Sequence, residues 1–292
     1  MTPSALDVVW ALQGRWSRVA TEQRARVDRR RRANLALLFV GASAGATATV
    51  GIEGVAVQIA AGVSALALSL AAAVQQRGLN ATEISQWSAA RKASEAIKAE
   101  AYRYLAQVPP YRGADRDERL LDRVEDHEND ARDHVVALNA TASDRADAPD
   151  ISGIDDYVRL RATEQAGWHR RKRAEHERTA GVWRRVELGI TLVGAVVSAF
   201  GGIAGEGAAG VAGAIVGVTT TLAAMVAAHL AATGHERIAA GYAATSERLE
   251  RLVVRLPEHP TEEQAVAFVE DVEELLARQN ESWVGLFTRA GS

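Results

Sequence analysis

Residues 33–76 read ANLALLFVGASAGATATVGI, then Glu53, then GVAVQIAAGVSALALSLAAAVQQ. Neither stretch beside Glu53 carries a charged side chain. The pattern returns at residues 188–235: LGITLVGAVVSAFGGIAG, then Glu206, then GAAGVAGAIVGVTTTLAAMVAAHLAATGH. An α-helix needs about 20 apolar residues to cross a hydrocarbon core of about 30 Å. With no water there to satisfy the backbone, each stretch must be a helix. The spacing therefore predicts two transmembrane hairpins, with spans at about 33–52, 54–76, 188–205 and 207–235.

Arginine placement orients them. Arg15, Arg18, Arg24, Arg26 and the run from Arg29 to Arg32 precede the first span. Arg170, Arg171, Lys172, Arg173, Arg178, Arg184 and Arg185 precede the third. The turns at Glu53 and Glu206 hold no lysine or arginine. The positive-inside rule then places both termini and the central segment in the cytoplasm, with both turns outside.

The soluble stretches repeat as well. Trp87, Ala90, Ser94, Ile97, Ala101, Tyr104 and Val108 follow alternating steps of three and four, a helical seam that Pro109 and Pro110 end. Leu120, Leu121, Val124, Ala131, Val135 and Leu138 mark a second amphipathic run. After the second hairpin the seam is Ile238, Tyr242, Thr245, Leu249, Leu252 and Leu256, interrupted by Pro257 and Pro260. Thr261 with Gln264 is a capping-box start for a last helix through Val269, Val272, Leu276, Trp283 and Leu286. The short sequence Ala-Thr-Glu-Gln occurs at both Ala20 and Ala162.

The expected fold is an all-α membrane protein with two tandem transmembrane helical hairpins, each followed by a cytoplasmic amphipathic helical hairpin. The boundary falls in the polar stretch from Ala140 to Gly153, giving units 1–145 and 146–292. Their cytoplasmic helices are expected at about 80–108, 115–138, 237–256 and 261–287. The fourth span is expected to run into its cytoplasmic seam without a breaker.

Composition narrows the function. The formal net charge is −3 and there is no cysteine. A nucleic-acid partner has no electrostatic footprint, and disulfides, thiolate zinc sites and cysteine nucleophiles drop out. Basic charge is almost all arginine, as in a high-GC bacterial genome. No cleavable signal peptide is expected, because the start lacks a short apolar core with a small-residue cleavage site. The localisation expected is the bacterial inner membrane.

Several motifs match chemistry only literally. Gly205-Glu-Gly207-Ala-Ala-Gly210 fits the dinucleotide-binding glycine pattern, but no strand delivers it. Gly41-Ala-Ser43-Ala-Gly45 fits a nucleophile elbow without the strand-turn-helix context. His176-Glu177 and His235-Glu236 each lack a second histidine four residues on, and His127 with His134 reads as a solvated face. No enzyme activity, cofactor or metal is expected. Asn80-Ala-Thr82 and Asn139-Ala-Thr141 fall on the cytoplasmic side, so they are not glycosylation sites.

Polar residues at membrane depth are the better candidates. Gln58, Thr47, Thr49, Ser64, Ser69 and the run Thr219, Thr220, Thr221 either bond their own helix backbone or line a water-filled path. Glu53 and Glu206 are exposed turn residues or a carboxylate ring at the mouth of a cation pore. Gly41/Gly45, Gly201/Gly205 and Gly213/Gly217 are small residues four apart, suited to close helix approach. The spans are rich in alanine and glycine, so they gain more from packing together than from lipid, which favours a hairpin bundle or a homo-oligomer over four independent anchors.

The segment Ser94-Glu-Ala-Ile-Lys-Ala-Glu-Ala-Tyr-Arg-Tyr-Leu-Ala106, with Val108-Pro-Pro-Tyr111, resembles the SLATT proteins, SMODS- and SLOG-associating two-transmembrane effectors. The second half is similar, with Glu164-Gln-Ala-Gly-Trp168-His-Arg-Arg-Lys-Arg173 before its hairpin and Asn280-Glu-Ser-Trp283 at its end. The resemblance implies a membrane-perturbing effector of bacterial conflict systems that permeabilises the host membrane in an abortive, antiphage response. It implies a trigger from outside the chain, either a nucleotide second messenger or a separate sensor protein. The competing readings are a non-conducting scaffold or adaptor that recruits soluble partners, and an enzyme at the membrane face, for which no acid/base set is present.

Overall fold

The computed structural model describes residues 3–48, 54–78, 81–132, 147–203 and 206–289. All regular structure among them is helical: α1 (Ala5–Thr47), α2 (Val55–Gly78), α3 (Ala81–Leu105), α4 (Arg116–Arg132), α5 (Ile154–Tyr157), a π-helical segment (Val158–Thr163), α6 (Glu164–Ile203), α7 (Glu206–Thr233), α8 (His235–Arg255) and α9 (Glu262–Arg289). Glu53, Gly205, Thr49, His134, Val135 and Leu138 lie outside the described residues, as do the side chains of Glu206, Trp283 and Leu286.

The contacts define two compact units, and each draws on both halves of the sequence. The first comprises Met1–Ala25, Ala81–Glu175 and Arg237–Ser292; the second comprises Arg26–Asn80 and His176–Glu236. Helices α1 and α6 contribute residues to both.

The first unit is a bundle with an ordinary apolar core. Ser4 caps α1 reciprocally with Asp7: the Asp7 amide donates to Ser4 Oγ (3.2 Å), and the Ser4 amide donates to Asp7 Oδ2 (3.0 Å). The capping box of α9 forms in the same way, with Thr261 N–H on Gln264 Oε1 at 2.9 Å and Gln264 N–H on Thr261 Oγ1 at 3.3 Å. These bonds satisfy amides that the first helical turn leaves without partners. The seam of α3 is buried along its length, from Trp87 and Ala90 through Ser94, Ile97 and Ala101 to Tyr104 and Val108. In α8, Ile238, Tyr242, Thr245 and Leu249 are buried, and Leu252 and Leu256 pack partly against the core. Leu120 and Val124 of α4 are buried, but Leu121 is exposed. Successive helical residues point 100° apart, so α4 buries a narrower stripe than the leucine pair suggests.

The two halves interlock inside this unit. Trp10, Tyr102, Tyr157 and Phe268, from α1, α3, α5 and α9, form a chain of edge-to-face rings with centroids 6.0, 6.3 and 6.2 Å apart. Within the first half, Gln13 Nε2 donates to Ser94 Oγ (3.0 Å), and Trp16 Nε1 donates to Glu128 Oε1 (3.1 Å). Within the second, Ser246 Oγ donates to the Ala166 carbonyl at 3.0 Å.

The second unit reverses the usual burial. Among the described residues, 17 of the 20 large hydrophobic side chains that stand exposed belong to it, including Leu66 (63%), Phe200 (68%) and Ile203 (83%). Among the described residues, two helices are long and apolar enough to cross a membrane, Val55–Gln76 and Ala209–Arg255, the second taken straight through Gly234. The uncharged ends of α1 and α6 run from Ala33 and Leu188 to the limits of the described residues. The expected unbroken passage from fourth span to cytoplasmic seam does not occur. Gly234 adopts φ +59, between the end of α7 and the start of α8. A side chain pays a steric penalty in that left-handed region and glycine does not.

Candidate functional site

Within the hairpin unit, the glycines divide into two groups. A Cβ on Gly41 of α1 would lie 2.8 Å from the Leu68 side chain of α2, and one on Gly45 would lie 2.9 Å from Ser64 Oγ. Ser64 Oγ also donates to the Gly41 carbonyl at 2.8 Å. In α6, a Cβ on Gly201 would collide with that of Ala212 in α7, and one on Gly194 would lie 2.5 Å from Thr219 Oγ1. Gly194 was not singled out by sequence, because its partner is a threonine on another helix. Gly213 and Gly217 face open space within one chain.

The three threonines of α7 do not share one face. Thr219 is half-buried toward α6, and its hydroxyl donates to the carbonyls of Ile215 and Val216, both at 3.0 Å. Thr220 and Thr221 are exposed, and Thr221 Oγ1 donates to the Gly217 carbonyl at 2.8 Å. Steps of 100° per residue enforce this spread. Gln58 of α2 is exposed, and Glu206 is the first residue of α7.

At the end of this unit, the two His-Glu dipeptides that lack partners along the sequence meet in space. His176 Nδ1 and His235 Nδ1 are 2.8 Å apart, and Arg184 pairs with Glu236. One imidazole must donate and the other accept, so at least one ring is neutral. His235 is the first residue after the Gly234 break, so the contact ties α8 to α6 at that joint. Trp183 of α6 and His229 of α7 also meet, with ring centroids 4.6 Å apart and planes tilted by 57°.

In the bundle unit, a polar network lies where sequence alone suggested only helix packing. Arg161, in the π-helical segment, is 1% exposed and Glu273 of α9 is fully buried. Arg161 Nε reaches Glu273 Oε1 at 2.8 Å, and Nη2 reaches Oε2 at 2.7 Å. Tyr157 donates to Glu273 Oε1 at 2.8 Å, and the guanidinium sits 4.1 Å from the centre of the Tyr102 ring. Burial works against the Arg161 charge, but Glu273 outweighs it and the guanidinium is held more firmly protonated than usual. Burial and the Glu273 charge together push the Tyr157 phenol well up.

Arg103 extends the network, bonding Glu100 Oε1 at 3.0 Å and Glu270 Oε2 at 3.2 Å. Burial pushes Glu100 up, but bonds from His127 and Tyr111 and the charges of Arg103 and Arg123 outweigh it and hold its carboxyl below the ordinary range. Glu100, Arg103, Arg161 and Glu273 line a cavity of about 280 Å³ that also takes in Lys92, Glu95, His127, Asp130 and Glu281. Its five carboxylates face three fixed cations, a balance that disfavours an anionic ligand. Among the described residues, no cluster of three or more His, Asp or Glu side chains is arranged to hold a metal.

Residues 157–283 match the family model of the SMODS and SLOG-associating 2TM effector domain 1, SLATT_1. Residues 14–119 match the model of a protein family of unknown function, DUF4231. The chain therefore carries a SLATT_1 domain at residues 157–283, behind a DUF4231 domain at residues 14–119. The SLATT_1 match falls on the second half, whereas the segment from Ser94 to Tyr111 that carried the resemblance lies in the DUF4231 match. Neither the curated proteins nor the solved structures gave a match.

Proposed function

We propose that this chain is a bacterial inner-membrane effector that oligomerises and permeabilises the membrane during an abortive, antiphage response. The observation that carries the reading is the reversed burial of the hairpin unit. Its large apolar side chains face outward on long uncharged helices, a surface that water disfavours and a bilayer accommodates. The name of the SLATT_1 domain, a two-transmembrane effector, points the same way.

In this reading all four apolar stretches span the bilayer as two tandem hairpins, with both termini inside and the turns at Glu53 and Glu206 outside. The chain works without catalysis of its own. Gly41, Gly45, Gly194 and Gly201 close each hairpin, which leaves Gly213 and Gly217, with nothing against them in one chain, for contact with another copy. Thr219 is turned into its own hairpin here, so a polar path through the oligomer would be lined first by Thr220 and Thr221. Glu53 or Glu206 would favour cations at its mouth.

Gating acts at the Gly234 joint. In this reading movement of α8 reaches α7 through the Gly234 turn, a hinge that His176 and His235 hold. A separate sensor protein suits the bundle better as trigger than a nucleotide does, given the acidic balance of its charged cavity.

Expression of the full chain with its trigger should depolarise the inner membrane and arrest growth. Arrest without depolarisation would favour the scaffold reading, in which the hairpins anchor a recruiting bundle and open nothing.

A further inference from the structure

The hairpin unit carries its positive charge unevenly. Residues 26–32 hold five arginines and one aspartate, whereas residues 176–187 hold three arginines and two glutamates. On α6, Arg184 pairs with Glu236 across to α8. On α1, Arg30 and Arg31 are half-buried and engaged by other groups. Arg26, Arg29 and Arg32 are exposed, and Arg32 Nε donates to the Asp28 carbonyl at 3.3 Å, which leaves its charge without a counter-ion there. They follow one another in steps of three, so each is turned about 60° from the last and all three stand on one side of the helix.

Their depth matters as much as their sign. The uncharged stretch begins at Ala33, and a helix rises 1.5 Å per residue, so Arg32 and Arg29 stand about 1.5 and about 6 Å outside it. A bilayer of about 40–45 Å with a core of about 30 Å leaves a headgroup layer of roughly 5–7 Å on each side. Arg29 and Arg32 therefore fall at phosphate depth, and Arg26 lies just beyond, about 10 Å out. A guanidinium fork matches phosphate oxygens in bidentate geometry. Burying such a row beside neutral headgroups would leave its charge unanswered.

We infer that Arg26, Arg29 and Arg32 form a binding surface for anionic phospholipid headgroups of the cytoplasmic leaflet, carried by the first half of the chain and not by the SLATT_1 domain. The inference rests on the membrane reading above. Basic side chains at an anionic membrane surface each contribute about fivefold in affinity, so the row supplies on the order of 100-fold in total.

The test titrates the full chain, purified in an uncharged detergent, with phosphatidylglycerol or phosphatidylcholine and counts bound lipids by native mass spectrometry. Phosphatidylglycerol should bind at least about tenfold more tightly. The R26Q/R29Q/R32Q variant should bring the two lipids level, while R178Q/R184Q/R185Q should leave the preference in place. A triple lysine variant should keep part of it, and circular dichroism should show unchanged helicity in all. Equal binding of both lipids by the unaltered chain, or a preference that survives the triple glutamine change, overturns the inference alone. Binding of neither lipid removes the membrane reading with it. Displacement by soluble glycerol phosphate at equal concentration would assign the row to a soluble phosphate ligand instead.

Discussion

Arg161 lays both prongs of its guanidinium on Glu273, at 2.8 and 2.7 Å, with neither side chain open to solvent. The pair joins the π-helical segment to α9 and sits beside Tyr102 and Arg103 of the other half of the chain, so it locks the bundle in one register. Removing one partner strands a buried charge, which costs about 3–5 kcal/mol. Glu273→Gln and Arg161→Met should each lower the unfolding midpoint of the detergent-purified chain sharply. The double change to Met at both sites should recover part of the loss, as a volume-matched apolar pair often does. Loss of less than about 1 kcal/mol in the single variants would show that the pair is not structural in this sense.

Bundle stability should fall with acid in two steps. His169 is buried, and its Nδ1 lies 2.7 Å from the Gln165 carbonyl, so the neutral ring carries its proton there. Burial lowers its pKa from 6.5, against the opposing effect of that carbonyl. The unfolded chain thus binds the proton first, and stability declines as pH falls from about 6.5 toward the lowered value. Glu100, held below its ordinary 4.5, contributes stability that is present above 4.5 and lost as pH falls through its lower folded value. His169→Phe should abolish the first step and leave the second, as read by unfolding midpoints from pH 8 to pH 2. A slope unchanged by that substitution would contradict the assignment.

The glycines should separate by role. Gly41→Leu and Gly201→Leu place side chains against Leu68 and Ala212, so they should spread the hairpins and reduce helicity or yield in the membrane. Gly213→Leu and Gly217→Leu meet nothing within one chain and should leave the fold intact while lowering the mass of the assembly in detergent solution. An unchanged mass would remove these two positions from any subunit interface.

The Gly234 joint predicts a second separation. His176→Ala removes the imidazole contact at the joint without touching the hydrophobic core, while Arg184–Glu236 and Ser246–Ala166 still hold α8 to α6, so basal permeability should rise. The chain has no cysteine, so H176C/H235C carries the only two thiols, and a short thiol-reactive cross-linker between them should hold the joint and silence the protein. Equal activity with and without the cross-link would show that the joint does not gate.

Much of the bundle was legible in the sequence because its helices bury one narrow stripe each. The α3 and α8 seams and the Thr261–Gln264 box need only local periodicity and capping to read. Leu121 misled because two adjacent leucines cannot both face one helix partner. Gly234 was readable as a stop signal, a glycine directly after the last apolar residues of a helix, but the apolar run through Leu230 and the seam from Ile238 masked it. Arg161 with Glu273 and His176 with His235 were not legible, since they lie 112 and 59 residues apart and only the tertiary fold brings them together. The two compact units were hidden for the same reason: repeats in sequence suggest division by halves, while contacts group bundle with bundle and hairpin with hairpin.

Ion efflux from liposomes holding the purified full chain, measured with and without its trigger, tests the central claim most directly. The account predicts release of trapped potassium that grows more than linearly with protein density, as an oligomer requires. The change of Thr219, Thr220 and Thr221 to valine should reduce that release with insertion unchanged, because it removes the hydroxyls and nearly keeps the volume. If the inserted chain releases no potassium at any density, with or without its cognate trigger, the hairpins are anchors and the permeabilising function is wrong.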